Sequence, residues 1–123
     1  MNEKILITDD EPNILISLEY LMKREGYQVS VARDGQEALD AVARDKPRLM
    51  LLDVMMPGKS GFEVCQAVRA DENLASVKIL MLSAKGRDTD LAKGSALGAD
   101  AYMTKPFSTR ELADKVRELL DAA

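Results

Sequence analysis

Four of the short apolar runs in this 123-residue chain lead into residues that can bind a cation or an anion. "KILIT" runs into Asp9 and Asp10, "RLMLL" into Asp53, "VKILML" into Ser83 and Ala84, and "ADAYMT" into Lys105 and Pro106. Carboxylates that converge at one end of a sheet raise one another's pKa unless a cation neutralises them. Such oxygen donors suit a hard divalent ion, and no imidazole accompanies them to favour a softer metal. Histidine is in fact absent from the chain. That excludes Ser-His and Cys-His catalysis, imidazole-bound zinc, and a histidine that could carry a phosphoryl group on the chain itself.

A competing phosphate-binding signal is "GKS", Gly58 to Ser60, five residues after Asp53. A P-loop requires glycine where this chain has Asp53, and an acid there would repel the phosphates such a loop cradles. The P-loop is therefore excluded. Each remaining residue also has an ordinary structural reading. Asp10 or Glu11 could cap a helix with Pro12 in its first turn, and Asp53 could be a turn residue. Ser83 could be a satisfied loop hydroxyl and Lys105 a solvated charge. What these readings leave unexplained is the convergence.

The elements that must position these residues are legible as a rhythm. Five apolar runs, "KILIT", "YQVSVA", "RLMLL", "VKILML" and "ADAYMT", alternate with segments of helical spacing. Several runs are nearly continuous in hydrophobics, as parallel strands covered on both faces require. Ile14, Leu15, Leu18, Leu21 and Met22 share one helical face, and so do Leu112, Val116, Leu119 and Leu120. Capping boxes precede three helices, at Asp34 and Glu37, at Ser60 and Glu63, and at Ser108 and Glu111, where Phe107 can staple onto Leu112. Gly26, Gly61 and Gly98 punctuate element ends. The thinnest apolar stripe belongs to "RDTDLAKGSALG", which contains Gly94.

Alternation of this kind predicts an α/β chain: a (βα)5, doubly wound parallel sheet with right-handed crossovers. Strand order 2-1-3-4-5 would set the four polar strand ends side by side, at the carboxyl edge where open α/β sheets carry their sites. With strands about 4.8 Å apart, acids from strands 1 and 3 can share a cation, and a lysine two strands from Asp53 can reach it across roughly 10 Å.

Composition bounds the rest. At 46% hydrophobic, residues 1–123 read as one domain with material for a real core. A net charge of -4 and a pI of about 4.9 argue against direct nucleic-acid binding. The single cysteine, Cys65, fits a reducing compartment, and no apolar run approaches the roughly twenty residues a membrane helix needs. A cytoplasmic location follows as the expectation. Only "DAA" follows the last helical segment, so no effector domain is expected within these residues.

"ILITDDE", "LLDVMMPGKSG", "ILMLSA" and "YMTKPF" together closely resemble the receiver domain of two-component response regulators, the flavodoxin-like fold of bacterial chemotaxis and sporulation regulators. The resemblance covers essentially the whole chain, with all four motifs at the right strand ends in the right order. It implies that Asp53 is the phosphoacceptor and that Asp9, Asp10, Asp53 and the backbone carbonyl of Met55 hold Mg²⁺, with Mn²⁺ able to substitute. Asp10 would be the direct ligand, and Asp9 would act more through water. The Ser83 hydroxyl, the Ala84 backbone N–H and the Lys105 ammonium would bind phosphoryl oxygens, with Lys105-Pro106 cis as in relatives. Ser83 and Tyr102 would form a conformational switch, and the side chains of Met55 and Lys85 would modulate phosphoryl lifetime. The family further implies Mg-dependent autophosphorylation and autodephosphorylation rather than a metabolic enzyme. A histidine kinase or histidine phosphotransfer protein would be the donor. A downstream protein, an effector domain or a second copy of the domain would read the signal.

Alternatives give way on single residues. A haloacid-dehalogenase-type phosphohydrolase needs a second acid where this chain has Met55. A flavodoxin-like FMN binder would want hydroxyl or amide donors where "TDDE" places negative charge. A receiver-like module that is never phosphorylated need not keep the five key positions filled. A stand-alone regulator, a phosphorelay intermediate and a receiver from a longer regulator all stay open.

Overall fold

Parallel strands cannot be joined by tight turns, so each apolar run needs a crossover, and here helices supply it. The computed structural model describes residues 3–56, 58–84, 92–93 and 96–121. In chain order the elements are β1 (Lys4–Thr8), α1 (Pro12–Arg24), β2 (Gln28–Ala32), α2 (Gly35–Asp45), β3 (Leu49–Asp53), α3 (Gly61–Ala70), a 3-10 turn (Glu72–Leu74), β4 (Lys78–Ala84), β5 (Ala101–Lys105) and α4 (Thr109–Asp121). The helical segment anticipated between β4 and β5 lies largely outside the described residues. All strand pairs are parallel, in the order β2-β1-β3-β4-β5.

The sheet is sandwiched as the continuous apolar runs require. Every residue of β3 is buried. One face packs Leu6, Met50, Ile79 and Met81 against α2 and α3 through Ala38, Val42, Val64 and Val68. The other packs Ile5, Ile7, Leu51 and Leu80 against α1 and α4 through Leu15, Leu18, Met22, Leu112 and Val116. Each such side chain contributes about 1.5–3 kcal/mol when fully buried, so packing rather than helix propensity holds these elements. Phe107 joins the second cluster together with Leu112, as the staple predicts.

The helix starts differ in one informative respect. Asp34, Ser60 and Ser108 each accept the N–H three residues on, at 2.8, 3.3 and 3.0 Å. At α2 the returning Glu37 carboxylate reaches the Arg33 N–H, one residue before the cap. For α1, however, the cap position is Glu11 and its side chain makes no capping bond. Asp9 takes the Glu11 N–H at 3.0 Å instead. Asp10 is thus left exposed at the mouth of the sheet. The Lys105-Pro106 peptide is cis.

Candidate functional site

Strand order converts sequence separation into adjacency. Asp53 ends β3, Ser83 and Ala84 end β4, Lys105 ends β5, and Asp9 follows directly on β1. Register tightens the grouping, since Asp53 lies opposite Leu82, Ser83 opposite Thr104 and Ala84 opposite Lys105. Pairing continues one residue beyond β3, where the Val54 N–H donates to the Leu82 carbonyl at 3.0 Å. This places the Ser83 backbone beside the Asp53 strand end.

The chain turns back sharply after Asp53. Gly61, the first residue of α3, donates its N–H to the Val54 carbonyl at 2.9 Å. A Cβ on Gly61 would overlap the Asp53 carbonyl oxygen, so the start of α3 seats against the strand end because residue 61 is glycine. Glycine therefore serves close approach here, where the sequence suggested only punctuation.

The three acids come together as their spacing suggests. One carboxylate oxygen from each of Asp9, Asp10 and Asp53 lies within 4.8 Å of the others. Asp9 is fully buried and Asp53 is 6% exposed. Lys105 reaches across from β5: its Nζ donates to Asp9 Oδ2 at 3.0 Å and stands 3.5 Å from Asp53 Oδ1. The Met55 N–H points at Asp53 Oδ1 from 3.4 Å.

Burial dominates the electrostatics. It pushes the Asp53 carboxyl up to about 6, with the Asp9 charge adding to the rise, while Lys105 and the Met55 N–H oppose it. Burial by itself would lower the Lys105 ammonium, but its bond to Asp9 and the charges of Asp53 and Asp9 leave it raised. Three acids against one ammonium leave an excess of negative charge on hard oxygen donors. That excess fits a divalent cation of the oxygen-seeking kind.

Ser83 is 1% exposed at the end of β4. Tyr102 lies on β5 against the cluster that packs α2 and α3, with its hydroxyl oxygen shielded from solvent. The Met55 side chain is 56% exposed beside the site. Lys85 lies outside the described residues.

Two features escaped the sequence reading. The first is the Lys105–Asp9 pair, which crosses two intervening strands. The second is Thr8, fully buried under Asp9, whose hydroxyl finds no hydrogen-bond partner among the described residues. Neither had a local signal, unlike the Asp9–Glu11 contact, which has the two-residue spacing of an Asx-turn.

Comparison with known proteins agrees with this geometry. A family model described as "Response regulator receiver domain" matches residues 5–117. The chain is 48% identical, over 120 residues, to the alkaline phosphatase synthesis transcriptional regulatory protein PhoP of Bacillus subtilis, covering 98% of this chain and 49% of that protein. It thus spans about half the length of this curated relative. Among solved structures, a putative response regulator from Chloroflexus aurantiacus superposes with a TM-score of 0.93 at 33% identity, covering 98% of each chain. The Vibrio cholerae chemotaxis protein CheY4 does so with a TM-score of 0.91 at 30% identity, covering 97% of this chain and 99% of that one. No helix among the described residues is long and apolar enough to cross a membrane. The chain belongs to the receiver domains of two-component response regulators, a signalling family whose members take a phosphoryl group on an aspartate with the help of a divalent metal.

Proposed function

We propose that Asp53 is the phosphoacceptor and that residues 1–123 act as one receiver domain. The carrying observation is a buried carboxylate that ends the central strand, flanked by two further acids and faced by an ammonium. Above pH 7 that carboxylate is largely ionised and therefore nucleophilic. One of its oxygens attacks phosphorus in line, the phosphorus–nitrogen bond of a phosphohistidine breaks, and the electron pair returns to the donor's imidazole. The donor lies outside residues 1–123, which contain no histidine. A histidine kinase or phosphotransfer protein serves, and a small acyl phosphate can replace it.

The ion is Mg²⁺, held by Asp9, Asp10, Asp53 and the Met55 carbonyl. When bound it neutralises charge that builds up during transfer. The chain's own groups complete the cradle. The Ser83 hydroxyl, the Ala84 N–H and the Lys105 ammonium face the phosphoryl oxygens, and Lys105 moves from its bond to Asp9 to do so. Met55 and Lys85 set the lifetime of the product. Movement of Ser83 toward the phosphoryl group opens space for the Tyr102 ring, which re-forms the surface around β5 and α4 as a two-state equilibrium. That surface is read by a second copy or by an effector. The relative named as a transcriptional regulatory protein extends well beyond the matched half, so an effector domain is the output favoured here. The domain works in the cytoplasm, beside its kinase.

Incubation with acetyl phosphate and Mg²⁺, followed by intact mass spectrometry, tests this reading. The parent chain should gain one phosphoryl group and Asp53→Asn none. Equal uptake by both would remove Asp53 from its role.

A further inference from the structure

Gly35 opens α2 with an ordinary backbone, unlike Gly26, Gly58 and Gly98, whose φ is positive. Glycine in a helix costs roughly 0.5–1 kcal/mol relative to alanine, so its presence needs another cause. The cause is a contact. A Cβ on Gly35 would overlap the Cβ of Lys59 and lie 2.5 Å from the Lys59 carbonyl oxygen, where ordinary contact begins at 3.4 Å. The first turn of α2 therefore rests directly on the backbone of the loop that joins β3 to α3.

We propose that Gly35 is a positioning residue for that loop, and through it for the Met55 carbonyl beside Asp53. The inference rests on the reading of Asp9, Asp10, Asp53 and Met55 as a metal site. The loop is closed at its base, because the Gly61 N–H bonds to the Val54 carbonyl and the Val54 N–H to Leu82. Its far side is set by Lys59 against Gly35. An alanine at 35 must displace one partner by about an ångström, and α2 resists. Asp34 caps α2 at 2.8 Å, and Ala38, Ala41 and Val42 are buried in the core. Gly61 in turn is wedged against the Asp53 carbonyl. The displacement is thus taken up between residues 54 and 60, the stretch that presents Met55.

The test compares Gly35→Ala with Gly26→Ala by amide NMR. Gly26 has positive φ but nothing within 4 Å of an added Cβ, so its variant loses stability without touching the loop. In metal-free protein, Gly35→Ala should shift the amide resonances of Val54, Met55 and Gly61, and Gly26→Ala should not. In a Mg²⁺ titration Gly35→Ala should weaken binding about tenfold, as loss of an outer support for a ligand does, while Gly26→Ala stays at the parent value. Should Gly35→Ala not fold, Gly35→Ala/Lys59→Gly, which removes one of the two clashing atoms, is read in its place. Unmoved loop resonances, unchanged Mg²⁺ affinity, or the same changes in Gly26→Ala would overturn the positioning role. A parent chain that binds no Mg²⁺ would instead overturn the metal-site reading, and the metal-free spectra would still decide whether α2 holds the loop.

Discussion

Replacing Asp53 by asparagine should make the metal-free protein more stable, although it removes the residue on which function depends. The carboxyl stands at about 6 in the folded chain against an ordinary value of 3.8, chiefly because burial and the Asp9 charge disfavour its ionised form. The folded state therefore holds the proton more tightly than the unfolded chain. The resulting destabilisation is absent below about pH 4, grows as pH rises through about 6, and is complete near pH 8, where it amounts to about 3 kcal/mol. Asparagine is nearly isosteric and carries no charge. Lys105 keeps its shorter bond to Asp9 at 3.0 Å when the Asp53 charge is lost. Urea unfolding in EDTA should thus show Asp53→Asn gaining about 3 kcal/mol over the parent at pH 8 and under about 1 kcal/mol at pH 4. Equal stabilities at pH 8, or a gain that does not shrink in acid, would refute the claim that Asp53 is held ionised at a cost.

Three further outcomes follow from the same geometry. Lys105→Met leaves Asp9 and Asp53 facing each other without their cation, and should lower metal-free stability at pH 8 by about 2–3 kcal/mol in the same urea assay, allowing for the partial exposure of Lys105. Mg²⁺ at ten times its dissociation constant should stabilise the parent by about 1.4 kcal/mol in a thermal melt. Asp10→Ala should weaken that effect more than Asp9→Ala does; unaltered stabilisation of Asp10→Ala would remove the direct ligand. Thr8→Val substitutes a methyl for a buried hydroxyl without a partner among the described residues and should raise stability by about 1 kcal/mol, whereas a loss would reveal a partner.

Much of the site was legible because polar residues interrupt runs that are otherwise buried. Asp9, Asp53, Ser83 and Lys105 stand where "ILIT", "LMLL", "KILML" and "AYMT" stop, and a parallel sheet brings such ends to one edge. The strands themselves extend slightly further than their apolar runs: β3 includes Asp53, β4 includes Ser83 and Ala84, and β5 includes Lys105. The hydrogen-bond ladder continues past the last hydrophobic side chain, which hydropathy cannot register. Pairwise choices inside the cluster were not legible either. Spacing says that a lysine can reach two acids, but burial decides that Asp9, 1% exposed at its side chain, takes the closer bond. Of the two ordinary cap readings, Glu11 does stand at the α1 cap position, but its side chain makes no capping bond, and Asp9 takes the Glu11 N–H. The seats of Gly35 on Lys59 and Gly61 on Asp53 depend on distances between elements remote in local pattern.

The central claim is that one carboxylate of this chain, Asp53, accepts the phosphoryl group. Borohydride reduction of the phosphorylated chain converts an acyl phosphate to an alcohol at the modified residue, and peptide sequencing by mass spectrometry then locates it. A single modified position at Asp53, dependent on Mg²⁺, is the expected result. Modification at Asp9 or Asp10, or label spread over surface carboxylates regardless of Mg²⁺, would contradict it.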